Sequence, residues 1–123
     1  MTGLADVLVV DDEESMRTSV ADILRGAGYS VVEAEDGQAA LEALQAGAFA
    51  VVVLDQKMPR KTGMEVLDAL TSPPAVIFMS AHRIEGSDRE KVRGKVFSFL
   101  TKPVPPLRLL DEVAAALRES GHS

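Results

Sequence analysis

The 123-residue chain contains no cysteine, which excludes disulfides, thiolate metal sites and cysteine nucleophiles but leaves the compartment open. Long apolar runs are also missing. The longest, residues 48–54, falls far short of the roughly 20 residues that cross a bilayer. No basic stretch precedes the first apolar segment, and acids follow it at once, so no signal peptide is expected. Basic residues are in the minority: 13 Lys and Arg stand against 19 Asp and Glu, for a formal charge of −6. A surface of that sign repels phosphate backbones, so neither nucleic acid nor an anionic membrane is expected as a direct partner. Internal repeats, low-complexity segments and linkers are absent as well. What remains is an ordinary globular balance, 46% apolar and 26% charged, in a length that suits one domain over residues 1–123 with one core. We expect a soluble, cytoplasmic protein.

Apolar character comes in short β-branched bursts at residues 7–10, 30–34, 49–54, 75–79 and 96–100. Near-continuous apolar bursts suit strands covered on both faces by helices. Between the first two, Met16, Val20, Ile23, Leu24 and Ala27 follow the helical repeat, and Gly26 and Gly28 mark its stop. Asp36 is a plausible N-cap for a second helix carrying Ala40, Leu41 and Leu44, with Gly47 after its end. Thr62-Gly63-Met64-Glu65 reads as a capping box opening a third helix with Val66, Leu67 and Leu70. Residues 85–95 supply a fourth, whose single large apolar residue is Val92. Pro105 and Pro106 open the last, with Leu107, Leu110, Val113, Ala114 and Leu117 as its stripe. Residues 119–123 read as a frayed tail. Five strands alternating with five helices predict a parallel, doubly wound α/β fold.

In such folds ligands bind beyond the carboxyl ends of the strands. Strand one ends in Asp11-Asp12, strand three in Asp55, strand four in Ser80 and strand five in Lys102-Pro103. Each has a plain alternative. Asp11 to Glu14 complement the positive end of the first helix; Asp55 is a turn or N-cap residue; Ser80 is a loop hydroxyl; Lys102 is a solvated cation. Together they form a site. Clustered carboxylates raise one another's pKa unless a cation neutralises them, and hard oxygen ligands suit Mg²⁺. A hydroxyl, an ammonium and a divalent cation around one carboxylate are equipment for moving a phosphoryl group onto it.

The order Asp11-Asp12, Asp55, Met58-Pro59, Gly63, Ser80-Ala81 and Lys102-Pro103 resembles the receiver domain of two-component response regulators. The resemblance covers essentially the whole chain. It implies a flavodoxin-like sheet in order 2-1-3-4-5 and a phosphoacceptor at Asp55, served by a histidine kinase or phosphotransfer protein. It also implies Mg²⁺ (or Mn²⁺) held directly by Asp12, Asp55 and the main-chain carbonyl of Lys57, with Asp11 acting through water. Ser80 takes the hydroxyl position, Lys102 the phosphoryl-contacting position and Phe99 the switch-aromatic position. Lys57 and His82 fall where side chains tune phosphoryl lifetime. The face of the fourth helix, fifth strand and fifth helix is the expected output surface, with a phosphorylation-dependent homodimer among its uses. On this reading the chain switches rather than turning over an external substrate. The interval from Asp55 to Ser80 is a few residues short for the family, which points to a trimmed third helix or exit loop. The chain is expected to be a stand-alone receiver or a piece of a longer regulator.

Other classes fit less well. An aspartate-nucleophile phosphatase resembling haloacid dehalogenases needs Asp-x-Asp after strand one, where Asp11-Asp12-Glu13 stands. A flavodoxin-like cofactor binder needs a hydroxyl- and glycine-rich phosphate loop there, and this chain has four consecutive acids. A receiver-like module that no longer takes phosphate has no support in the intact acidic pair, Asp55, Ser80 and Lys102. Phe97 and Phe99 also read simply as core and surface residues of strand five.

Overall fold

A computed structural model describes residues 6–47, 49–55, 65, 66, 69, 74–80 and 96–119. The described strands are β1 (Asp6–Val10), β2 (Ser30–Ala34), β3 (Val51–Asp55), β4 (Ala75–Ser80) and β5 (Ser98–Thr101). The described helices are α1 (Glu14–Gly26), α2 (Gly37–Ala46) and α3 (Pro106–Glu119), the last being the fifth expected from sequence. The sheet runs β2-β1-β3-β4-β5, and every neighbouring pair is parallel. This is the doubly wound α/β order.

Alternation along the strands divides the core into two layers. Val7, Val9, Val51, Val53, Ile77 and Met79 face one side, packed with Val20 and Leu24 of α1 and Leu109, Val113 and Ala116 of α3. Leu8, Val10, Val52, Leu54, Val76 and Phe78 face the other, with Ala40 of α2 and Val66. β1 and β3 are apolar at consecutive positions because both of their faces are covered. They are therefore rigid supports for whatever follows their last residues.

Local chemistry sets the helix ends. Asp36 caps α2, its Oδ1 accepting from the Ala39 N–H at 2.8 Å. Gly28 adopts φ 101° just beyond α1, a left-handed conformation that needs glycine; its N–H donates to the Arg25 carbonyl at 2.9 Å. Gly26 is instead the final residue of α1. In α3 the buried face is Leu109, Val113 and Ala116, flanked by half-buried Leu110, Ala114 and Leu117. Leu107 does not join the stripe expected of it and is 76% exposed. It precedes Leu109 by two residues, which turns it roughly 200° around the helix. β3 begins at Val51 rather than 49 and β5 at Ser98 rather than 96; Phe49 and Val96 still pack on the core as flanking residues. Glu65, Val66 and Ala69 are helical, in keeping with a third helix. The rest of that helix, its capping residues Thr62 to Met64, and the fourth helix at 85–95 lie outside the described residues.

Candidate functional site

Four strands end on one edge of the sheet, and their terminal residues converge. Asp55 is the last residue of β3 and pairs in register with Met79. Ser80 is the last of β4 and pairs with Thr101, the residue before Lys102. The Lys102 N–H donates to the Ser80 carbonyl at 2.8 Å, which extends the ladder by one bond and brings the lysine over the site. The Lys102-Pro103 peptide is cis. At the far side of β3, Asp11 follows β1; its N–H donates to the Ala34 carbonyl at 3.2 Å.

Lys102 reaches across the edge to two of the acids. Its Nζ lies 2.8 Å from Asp55 Oδ1 and 3.1 Å from Asp11 Oδ2. Both carboxylates are nearly sealed from water, with side chains 5% and 1% exposed. Asp12, next in sequence, is exposed. Carboxylate oxygens of Asp11, Asp12 and Asp55 all lie within 4.8 Å of one another. Burial pushes the Asp55 carboxyl above the usual range, and the charges of Asp11 and Asp12 push the same way against the Lys102 hydrogen bond and charge. Burial alone lowers the Lys102 ammonium, but hydrogen bonds and charge from Asp55 and Asp11 outweigh it and raise it. The site is thus an acid-rich cluster balanced by one lysine, with a buried carboxylate that folding prefers uncharged.

The donor set fits a hard divalent cation: three carboxylates supply hard oxygens within reach of one another, and the exposed Asp12 leaves one side open to water. Ser80 is half-buried beside this cluster. By strand alternation it shares a sheet face with Phe78, which pairs in register with Phe99 of β5. Phe99 packs edge-on against Phe78, with ring centroids 6.2 Å apart and planes at 85°, so a hydroxyl and an aromatic of the expected switch pair belong to one packed layer. Lys57 and His82 lie outside the described residues. Sequence reasoning did not anticipate Arg17, whose guanidinium donates to the Asp11 carbonyl at 2.9 Å. The available signal was its place one helical turn beyond the acidic run, where a long side chain folds back over the N-terminus.

A five-stranded parallel sheet in order β2-β1-β3-β4-β5 with acids and a lysine gathered at its carboxyl edge defines a doubly wound α/β domain of the flavodoxin-like class. The family model of the response regulator receiver domain matches residues 7–114, and the chain belongs to that family, whose members are phosphoacceptor switches of two-component systems. It is 36% identical to the response regulator RR06 of Streptococcus pneumoniae over 92% of this chain and 53% of that protein. It is 33% identical to the transcriptional regulatory protein FixJ of Bradyrhizobium diazoefficiens, over 98% of this chain and 60% of that one. The chain therefore spans little more than half the length of these relatives. Among solved structures, the chemotaxis response regulator CheY4 of Vibrio cholerae superposes with a TM-score of 0.85 at 30% identity, covering 93% of this chain and 99% of that one. No helix among the described residues is long and apolar enough to cross a membrane.

Proposed function

We propose that this chain is a single receiver unit that accepts a phosphoryl group on Asp55 and changes conformation to control a partner or output domain. The observation that carries the reading is the buried Asp55 carboxylate, held 2.8 Å from Lys102 beside two further acids. The donor is a phosphohistidine on a histidine kinase or phosphotransfer protein. An Asp55 oxygen attacks phosphorus in line, an oxygen–phosphorus bond forms, and the nitrogen–phosphorus bond breaks with its electron pair returning to the imidazole. Strand β3 fixes the direction of attack, because Asp55 is its terminal residue. Lys102, already oriented by Asp11, shifts its ammonium onto the incoming phosphoryl oxygens. Ser80, at the end of β4, donates its hydroxyl to another of them.

Asp11, Asp12, Asp55 and the main-chain carbonyl of Lys57 would hold Mg²⁺ or Mn²⁺. When bound, that cation neutralises the acidic cluster and the phosphoryl oxygens as charge shifts between them. Drawing Ser80 toward the phosphoryl group changes the space next to Phe99, and that packing change reaches the surface formed by the fourth helix, β5 and α3. Output partners, or a second copy of the phosphorylated domain, bind there. Lys57 and His82, outside the described residues, are the positions whose side chains tune the hydrolysis of the phosphoryl group on this reading. The chain turns over no external substrate and works in the cytoplasm, without direct contact to nucleic acid or membrane.

Incubation with a radiolabelled small phosphodonor tests this. Wild type should label with Mg²⁺ and fail in chelator, and Asp55→Asn should fail in both. Undiminished, base-labile labelling of Asp55→Asn would remove Asp55 from its role.

A further inference from the structure

Arg17 lies one turn into α1, its backbone N–H donating to the Glu13 carbonyl at 2.9 Å. Its side chain is only 15% exposed, and the guanidinium bridges two elements. Nη1 donates to the main-chain oxygen of Asp11 at 2.9 Å, and Nε donates to Glu33 Oε1 of β2 at 3.3 Å. The other Glu33 oxygen accepts from Arg25 Nη1 at 3.1 Å, and Arg25 Nη2 donates to the Val31 carbonyl at 3.1 Å. None of these contacts has a part in the phosphoryl chemistry above.

The Asp11 carbonyl matters because of what it is bonded to. The N–H of Asp11 closes the strand ladder, and its Oδ1 accepts from the Glu13 N–H at 3.0 Å. Its carbonyl belongs to the rigid peptide plane that leads into Asp12. Turning that plane swings the Asp12 Cα, and Asp12 is the exposed member of the three-carboxylate cluster. Glu33 fixes the guanidinium in place and offsets its charge, so the acids keep their field for a cation.

We infer that Arg17, held by Glu33, is a positioning residue: it sets the Asp11–Asp12 peptide plane and thereby the reach of the carboxylates toward a divalent cation. The inference rests on the cation-assisted reading above. It carries a sign that separates it from simple electrostatics. Removing a positive charge beside an acidic cluster tightens cation binding on charge grounds alone, whereas loss of positioning weakens it.

Calorimetric titration with MgCl₂ reads the sign directly, on wild type, Arg17→Met, Arg17→Lys and Arg25→Met, each shown to be folded by circular dichroism in chelator. The Arg17→Met dissociation constant should rise roughly tenfold, the low end of what outer partners of metal ligands contribute. Arg17→Lys should fall between, because one ammonium cannot present the planar fork that spans a carbonyl and a carboxylate; it carries the test alone if Arg17→Met does not fold. Arg25→Met, which touches Glu33 but not Asp11, should stay close to wild type. With acetyl phosphate as donor, Arg17→Met should need more Mg²⁺ for half-maximal labelling while its rate at saturating Mg²⁺ remains near wild type. Unchanged or tighter Mg²⁺ binding by the Arg17 variants, or an equal loss in Arg25→Met, overturns the inference and leaves the proposed function standing. Absence of Mg²⁺ binding by wild type overturns both.

Discussion

Two sets of ion pairs in this domain have similar distances and opposite consequences. On the outside of α3, Arg108 Nε lies 3.1 Å from Glu112, with side chains 57% and 20% exposed. At the sheet edge, Lys102 lies 2.8 and 3.1 Å from Asp55 and Asp11, all three largely withdrawn from water. The outer pair sits one turn apart on a helix, where water screens it and its contribution is at most a few tenths of a kcal/mol. The inner trio keeps two carboxylates against one ammonium in a poorly solvated place, and its desolvation competes with its attraction. The raised Asp55 carboxyl records the outcome: folding disfavours its charged form, mainly through burial. Distance alone therefore says little about stability. The outer pair belongs to the surface, whereas in the inner trio the fold favours the Lys102 ammonium and disfavours the Asp55 charge it is paired with.

Removing the ammonium should break the inner trio with the largest effect. In metal-free buffer at neutral pH, Lys102→Met should lose about 3 kcal/mol in urea denaturation, because it leaves two buried carboxylates without their cation. The sign follows from linkage. The Lys102 ammonium is raised in the folded state, so its stabilisation is fully present below the ordinary lysine range and is lost only as pH rises through the raised value. Adding Mg²⁺ to wild type should act in the same sense from outside. At about 100 times the dissociation constant it should stabilise the domain by about 2.7 kcal/mol, reversed by chelator.

Asp55→Asn sharpens the comparison by neutralising the group that folding prefers uncharged. It should raise the stability of the metal-free domain by on the order of 1 kcal/mol at pH 7. The pH dependence works out as follows. A carboxyl raised on folding makes the native state bind its proton more tightly, so wild type loses stability as pH climbs from the ordinary carboxylate range through the raised Asp55 value. The difference between Asp55→Asn and wild type should be small in acid, grow through that window and then level off. Smallest of all, Arg108→Ala should change stability by less than about 0.5 kcal/mol at any of these pH values. A loss as large as that of Lys102→Met would erase the distinction between the two sets.

Much of this arrangement was legible in the sequence, and the physical reason is periodicity. β1 and β3 read as strands because residues 7–10 and 51–54 are apolar on both faces, and parallel topology follows from the helices between them. The edge residues were readable because the carboxyl ends of parallel strands share one side of the sheet, so Asp11, Asp55, Ser80 and Lys102 were brought together by topology alone. Leu107 misled because helical spacing identifies a stripe but not which residues at its margin overhang the core. Lys102 joining Asp11 as well as Asp55 was not legible, since a contact across 91 residues depends on side-chain reach. Arg17 and Glu33 escaped for the same reason. Their bond links a helix face to an edge strand, and neither residue carries a motif.

Locating the phosphoryl group tests the central claim most directly. Wild-type protein treated with acetyl phosphate and Mg²⁺, reduced with borohydride and digested, yields a homoserine wherever an aspartyl phosphate stood. We expect that single mark at position 55, with none in a sample prepared in chelator. A mark at Asp11 or Asp12, or no acyl phosphate anywhere in protein that binds Mg²⁺, would contradict the assignment of the buried, lysine-paired carboxylate as the acceptor.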